Sequence, residues 1–409
     1  MTGPASPEES KAASGLELLR TNRNFRRLWL ARAISFVGDS LGLIALLLYT
    51  ANATGDAFAV ALLLVAGDLV PSMASPLTGA LSDRVDRRAL MVGCELFRGG
   101  VVTIIATGRP NLTLLLVLVG LQALAGGAFQ PASRSAVPHL VGDRDLAGAN
   151  ATIGFGTHGL EVTGPVLAAI ALPLLGLRGV LLADAATFVA SAALLVRLPP
   201  LHAGPQRERQ DSFVAAVQDG LRAIWSRPAV RAIALAFFAL VAFNGIDDVA
   251  LVFLAHDLRA SDAATSLLYA GSGAGLTIGL LLLTRWASLV PAMALLVAGF
   301  ALCCTGNLLT GLAWAVPVAF ATQAVRGGGI SAIETGVTTV LQRRVPPGLQ
   351  GRVFGNVLGS VGLAAGLSYL VGGRLVELVG PRPVFVGAGA GGLVTAVALA
   401  VALMCVRSR

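Results

Sequence analysis

The sequence predicts an all-α membrane protein of twelve transmembrane helices in two six-helix halves, and three observations carry that prediction. Of 409 residues, 55% are hydrophobic and only 13% charged, whereas soluble domains carry about a quarter charged residues. The charges are bunched between apolar runs of about 20 residues, the length that crosses roughly 30 Å of hydrocarbon as a helix. A pattern also recurs across the middle of the chain. Arg23-Asn24-Phe25-Arg26-Arg27 before the first run resembles Arg227-Pro228-Ala229-Val230-Arg231 before the seventh, and Ala45-Leu46-Leu47 matches Ala250-Leu251-Val252.

Taken in order, a polar N-terminal segment (1–27) precedes spans at 28–51, 58–81, 89–108, 112–132, 152–175 and 179–197, which form an N-terminal bundle over 28–197. The longest connection, 198–229, holds the polar stretch Gln206 to Asp211. It then sets Phe213, Val217, Leu221, Ile224 and Trp225 at helical spacing, which reads as an amphipathic linker helix at the membrane surface. Spans at 230–254, 264–284, 289–310, 313–334, 353–373 and 384–406 form the C-terminal bundle, 230–406. GxxxG pairs (Gly38/Gly42, Gly275/Gly279, Gly355/Gly359, Gly362/Gly366) let helix backbones approach. The arginines gather in alternate connections: 20–27, 84–88, 134–144, 197–231, Arg285, 343–352, Arg407 and Arg409 on one side. Only Arg109, Arg178, Arg259, Arg374 and Arg382 fall on the other. The positive-inside rule then puts both termini in the cytoplasm, with the chain in a bacterial inner membrane.

Several function classes drop out. The net charge of +8 sits in loops, without a basic helix or nucleic-acid-stacking aromatics, so no nucleic-acid partner is expected. Cys94, Cys303, Cys304 and Cys405 lie in apolar runs without zinc-ligand or disulfide spacing. Gly154-Phe155-Gly156-Thr157-His158-Gly159 fits GxGxxG but sits inside a span with no strand before it. His158 and Glu161 lack further metal ligands, and no P-loop is present. The expectation is a chain that is not an enzyme and carries neither metal nor cofactor.

Between the second and third spans runs Gly79-Ala80-Leu81-Ser82-Asp83-Arg84-Val85-Asp86-Arg87-Arg88. It resembles the loop signature of the major facilitator superfamily, with Asp86 where glycine is usual. Further segments resemble its drug:proton antiporter branch, which includes macrolide-type efflux proteins and the enterobactin exporter: Ser35-Phe36-Val37-Gly38-Asp39, Phe129-Gln130-Pro131-Ala132, Asp184-Ala185-Ala186-Thr187-Phe188, and Leu341-Gln342-Arg343-Arg344-Val345-Pro346. The resemblance implies a secondary transporter with alternating access, in which Gly79, Asp83, Arg84, Asp86, Arg87 and Arg88 form a gating loop. Asp83 would meet a helix N-terminus and the arginines would meet carboxylates, in one state only. Two motifs depart from the pattern. Gln122 stands where the fourth span would carry arginine, four residues before Gly126. The fifth-span GPxxGG reads Gly164-Pro165-Val166-Leu167-Ala168-Ala169.

Charges inside spans are few, and each costs several kcal/mol without a partner or water. Asp39, Glu161 and Asp68 lie about 14–16 Å into their spans at 1.5 Å per residue, so all three are candidates for carrying a coupling proton. Asp39 comes first, because the repeat aligns it with Asn244. A structural pairing of Asp39 with Arg32, seven residues earlier, or with Arg98 competes with that role. Arg98 and Glu95, spaced i, i+3, read as a structural pair. Asn244, Asp247, Asp248, Gln130, Gln323 and Arg326 are candidates for lining a substrate cavity, and Glu334 for a gate.

The expectation is therefore a monomeric exporter of bulky, apolar drugs or secondary metabolites driven by proton antiport, with small-molecule substrate, protons and lipid bilayer as its partners. Same-fold alternatives are a siderophore or metabolite exporter, an uptake facilitator, or a lipid flippase. A non-transporting membrane sensor or scaffold is the alternative of another class.

Overall fold

The computed structural model describes residues 15–142, 145–146, 148–150, 152–153, 163–201, 213–286 and 290–407. Fourteen long or short helices account for nearly all of them. A surface helix α1 (Gly15–Thr21) leads into α2 (Arg23–Thr54), α3 (Ala57–Arg84), α4 (Arg87–Gly108), α5 (Leu112–Leu140) and α6 (Thr163–Leu195). The linker helix α7 (Phe213–Trp225) follows. Then come α8 (Pro228–Asn244), α9 (Asp247–Asp257), α10 (Asp262–Trp286), α11 (Ala292–Gly311), α12 (Val316–Arg344), α13 (Pro347–Val379) and α14 (Pro381–Arg407).

The starts of these helices are written in local chemistry. Side chains of Asn22, Asp56, Asp86 and Asn111 accept hydrogen bonds from backbone N–H groups in the first turns of α2 to α5, satisfying donors that a helix start leaves open. Proline stands in the first turn of α8, α12 and α13, where its missing N–H costs nothing.

Among the described residues, ten stretches of helix are apolar and long enough to cross a membrane; Pro228–Asp257, which is α8 and α9 end to end, counts as one. Two adjustments bring the number to twelve. Helix α6 breaks at Gly176, whose φ of 64° and ψ of 175° are outside the helical range and suit glycine. The chain reverses there: Gly164 before the break packs on Ser40, and Thr187 after it packs on Gly38, so both arms reach the same depth of α2. Helix α12 is less apolar than the ten, because Arg326 and Glu334 interrupt it, yet its 29 residues span as far as its neighbours do.

Three apolar clusters describe the packing. One joins both halves: Leu47, Ala57, Val60, Ala61 and Leu64 of the N-terminal half lie with Ile246, Leu251, Leu268, Tyr369 and Val376 of the C-terminal half. The other two belong to one half each, around Phe25, Met91, Phe129 and Leu195, and around Ile224, Phe300, Leu341 and Leu403. The latter pair sits at the end that carries the termini and the linker. The halves are thus sealed against each other at the far end and keep separate cores at the linker end.

At the far end Asn52 Nδ2 donates to Asp262 Oδ2 (2.9 Å) and Phe58 N to Glu377 Oε1 (3.0 Å), both across the two halves. At the linker end, α7 is tied to the C-terminal half. Arg352 Nη1 pairs with Asp219 Oδ2 at 2.6 Å, and Asn356 Nδ2 donates to Val217 O at 2.9 Å.

Candidate functional site

Between the halves, on the linker side of the shared cluster, lies a cavity of about 320 Å³. Its walls are largely aliphatic (Leu43, Ile44, Leu47, Leu64, Leu276, Ile330), and its polar lining comes from Ser40, Asp68, Asp248, Tyr269, Ser272, Arg326, Glu334 and Tyr369. Of the residues singled out from sequence, Asp68, Asp248, Arg326 and Glu334 therefore meet in one space. Tyr269 and Tyr369 were not singled out. The chain has only three tyrosines, and two of them converging from separate spans is a signal visible only once the fold joins them.

Asp39 lies in a second polar site, inside the N-terminal half. It forms an ion pair with Arg98, which also reaches Glu95 Oε1 at 3.5 Å. Ser35 Oγ donates to Glu95 at 3.2 Å. Asp184, from the second arm of α6, is buried against Gly38 and Gly42 and within electrostatic reach of Arg98. The guanidinium lies 4.4 Å from the centroid of the Phe188 ring, a cation–π distance, and packs on the bare backbone of Gly126. Three carboxyls so surround one arginine. Glu95 and Asp184 are 0% and 1% exposed, while the Asp39 side chain keeps 35%. The fourth span lacks its arginine, but Arg98 reaches the same glycine from the third. Arg32, the other partner weighed for Asp39, instead bonds Ser133 and, at 3.3 Å, Gln130; Gln130 is thereby placed beside Arg32.

The matching position of the C-terminal half holds amides. Asn307 Nδ2 donates to Asn244 Oδ1 (2.8 Å) and Asp247 Oδ2 (3.3 Å), and Asn244 Nδ2 donates to Leu240 O (3.0 Å). Asp247 forms an ion pair with Arg326, whose Nη1 also donates to Ser272 Oγ at 2.9 Å. Gln323 donates to Thr310 Oγ1 at 3.2 Å. Asn244, Asp247 and Gln323 are buried within this half, behind the cavity wall.

In the loop between α3 and α4, Asp86 Oδ1 caps α4 at Ala89 N (2.8 Å) and Oδ2 accepts from Leu201 N (2.8 Å), while Arg87 N donates to Leu201 O (3.0 Å). The acid at the usual glycine position thus clips the start of the linker. Arg87 is buried and its Nη1 lies 3.2 Å from His139 Nε2; Arg88 is half-buried. Gly79, Asp83 and Arg84 belong to α3, but their side chains lie outside the described residues, as does the whole of Glu161.

Comparison with known proteins adds the following. A family model for the Major Facilitator Superfamily matches residues 28–248 and 248–409. Macrolide efflux protein A of Streptococcus pyogenes is 22% identical over 384 residues, covering 89% of this chain and 92% of that one. The multidrug efflux pump Tap of Mycolicibacterium fortuitum is 24% identical over 365 residues, 85% of this chain and 88% of the other. Among solved structures, the nucleoside transporter NupG superposes with a TM-score of 0.75 at 13% identity, over 93% of this chain and 99% of that one.

Proposed function

The chain belongs to the Major Facilitator Superfamily, and on that premise we propose that it exports bulky, apolar drugs or secondary metabolites in exchange for protons. The observation that carries the coupling is the cluster of Asp39, Glu95 and Asp184 about the single guanidinium of Arg98. One cation cannot neutralise three carboxylates, and an unpaired carboxylate in the dry bundle costs several kcal/mol. The cluster therefore stores protons, and the partly open Asp39 exchanges them.

The cavity's aliphatic walls and few polar groups suit an apolar cargo, and the efflux relatives support outward transport. The arginine asymmetry orients the termini and linker to the cytoplasm. Sealed at the far end, the molecule described is then an inward-facing state of a monomer in the bacterial inner membrane. Protonation from outside favours this state; loss of the proton inside, with cargo bound, favours the other. Coupling requires proton and cargo to bias opposite conformations. The loop at Asp83 to Arg88 serves as the gate at the cytoplasmic face.

The test uses proteoliposomes and a lipophilic cationic drug. Transport by the native protein follows an imposed pH gradient and, with Asp39→Asn or Glu161→Gln, falls at least about tenfold, the scale of a lost coupling energy. Transport that persists undiminished in both variants and without a gradient overturns the proposal.

A further inference from the structure

The floor of the cavity holds a constellation that the cluster at Asp39 does not use. Tyr369 Oη donates to Asp68 Oδ2 at 3.0 Å and lies 3.5 Å from Asp248 Oδ2. Asp68 belongs to α3 in the N-terminal half; Tyr369 and Asp248 belong to α13 and α9 in the C-terminal half. The hydroxyl therefore bridges the halves where the shared apolar cluster ends, since Tyr369 is itself a member of that cluster.

The neighbours leave this bridge short of positive charge. Arg326, on α12, forms its ion pair with Asp247 and donates to Ser272, so its one charge is shared between Asp247 and Asp248. Tyr269, on α10, donates its hydroxyl to the Asp248 backbone carbonyl at 2.5 Å, so it offers no proton to either carboxylate. Glu334 of α12 faces the same cavity, α2 contributes Ser40 and leucines, and α5 meets α3 through Gly127 against Pro71. A hydroxyl has one hydrogen and two lone pairs. It donates to one carboxylate, and it bonds the second only by accepting from that group's own O–H.

We propose that Asp68 and Asp248 share one bound proton through Tyr369, and that this proton site locks the two halves together at the far end. With the proton present, Asp248 O–H donates to Tyr369 and Tyr369 donates to Asp68, a continuous chain of two hydrogen bonds across the interface. With both acids ionised, only one bond is left, and two negative charges face each other over a single hydroxyl. The halves then part at the far end and the cavity opens to that side. The roles of Asp68 and Asp248 can exchange, since the hydroxyl serves either as donor to one and acceptor from the other. The proposal rests on the antiport reading only for its link to flux, because the lock itself is a conformational property.

The experiment places spin labels at Ala53→Cys and Ser261→Cys, exposed positions at the far end of the two halves, in an otherwise cysteine-free protein in nanodiscs. The distance between them is followed from about pH 5 to about pH 8. A one-proton linkage moves the open-to-closed ratio by up to about tenfold per pH unit, and the short distance gives way to the long one as pH rises. Asp248→Asn keeps the short distance at every pH, because the amide donates as the protonated acid does. Tyr369→Phe keeps the long one, with folding checked by monodisperse elution. If Tyr369→Phe does not fold, Asp248→Asn decides alone. A distance that ignores pH in the native sequence, or an Asp248→Asn profile that matches it, overturns the lock. Drug flux that loses its pH dependence in Asp39→Asn while the distance still responds, or the reverse, separates failure of the lock from failure of the antiport reading.

Discussion

The two halves solve the same packing problem with opposite materials. In the N-terminal half, α2 presents Gly38 and Gly42 and takes the bulk from α6, whose Asp184 and Thr187 fill the groove. In the C-terminal half the glycines change sides: Gly391 and Gly392 of α14 receive Phe243 and Asn244 of α8. Small residues let helices close up without a hydrophobic drive between them, and either helix can supply them. What differs is the polar group delivered to the centre. The first half receives a third carboxyl about Arg98, whereas the second receives an amide that bonds Asn307. The amides of the second half brace an ion pair of one acid with one base, Asp247 with Arg326, whereas the first half sets three acids about one base. Under the proposed antiport, the excess of acid puts the cargo-coupled proton in the N-terminal cluster, while the proposed lock takes its proton at the interface, on Asp68 and Asp248.

The largest expected effect comes from removing the centre of the ionic cluster. Arg98→Ala leaves the buried Glu95 and Asp184 and the part-exposed Asp39 without their cation and costs about 3–5 kcal/mol, read as a lowered unfolding midpoint in detergent and a poor folded yield. Asn307→Ala, in the other half, removes the bonds to Asn244 and to the Asp247 carboxylate but leaves Arg326 as the counter-ion of Asp247, and costs about 1–3 kcal/mol. Equal losses would erase the distinction between the halves. Next come the reversed grooves. A Cβ at Gly42 overlaps the Asp184 carboxylate, and one at Gly392 overlaps Asn244 and Cys304, so each change to Ala costs about 1–3 kcal/mol of overpacking. Asp184→Ala in the Gly42→Ala background restores the fit, and a double-mutant cycle measures the coupling; strict additivity would mean that the two do not touch.

The smallest effect is at the far-end seal. The Asp56 carboxyl is held below the usual carboxylate range, first by its hydrogen bond with Glu377 and also by the N–H groups of Phe58 and Ala59 and the charge of Arg374. A lowered folded-state value means that the seal gains from this acid above the ordinary aspartate range and loses the gain as pH falls through the lowered value. Unfolding midpoints of the native protein and Asp56→Asn should therefore differ slightly at neutral pH and converge in acid.

The fold was legible because apolar runs, arginine asymmetry and the repeat around Phe25 and Val230 are one-dimensional signals. The repeat also aligned Asp39 with Asn244, the positions where the halves now differ. Partners across helices were less legible. Arg32 shares a stripe with Asp39, but its side chain turns to Ser133 and Gln130, and Arg98 comes over from α4. Asn244 and Gln323 are polar residues in apolar runs, a pattern that fits a cavity wall and a helix–helix contact equally; burial places both in the contact. The break at Gly176 falls in the connection expected between the spans at 152–175 and 179–197, and its positive φ is one that glycine adopts freely.

The most direct test of the proton store is the release of protons when cargo binds. In weakly buffered detergent solution, adding a lipophilic cationic drug to the native protein should release protons in proportion to the drug bound. In Asp39→Asn/Asp184→Asn the drug should bind with little or no release. Undiminished release from that variant would contradict the account and move the exchanging proton out of the N-terminal cluster.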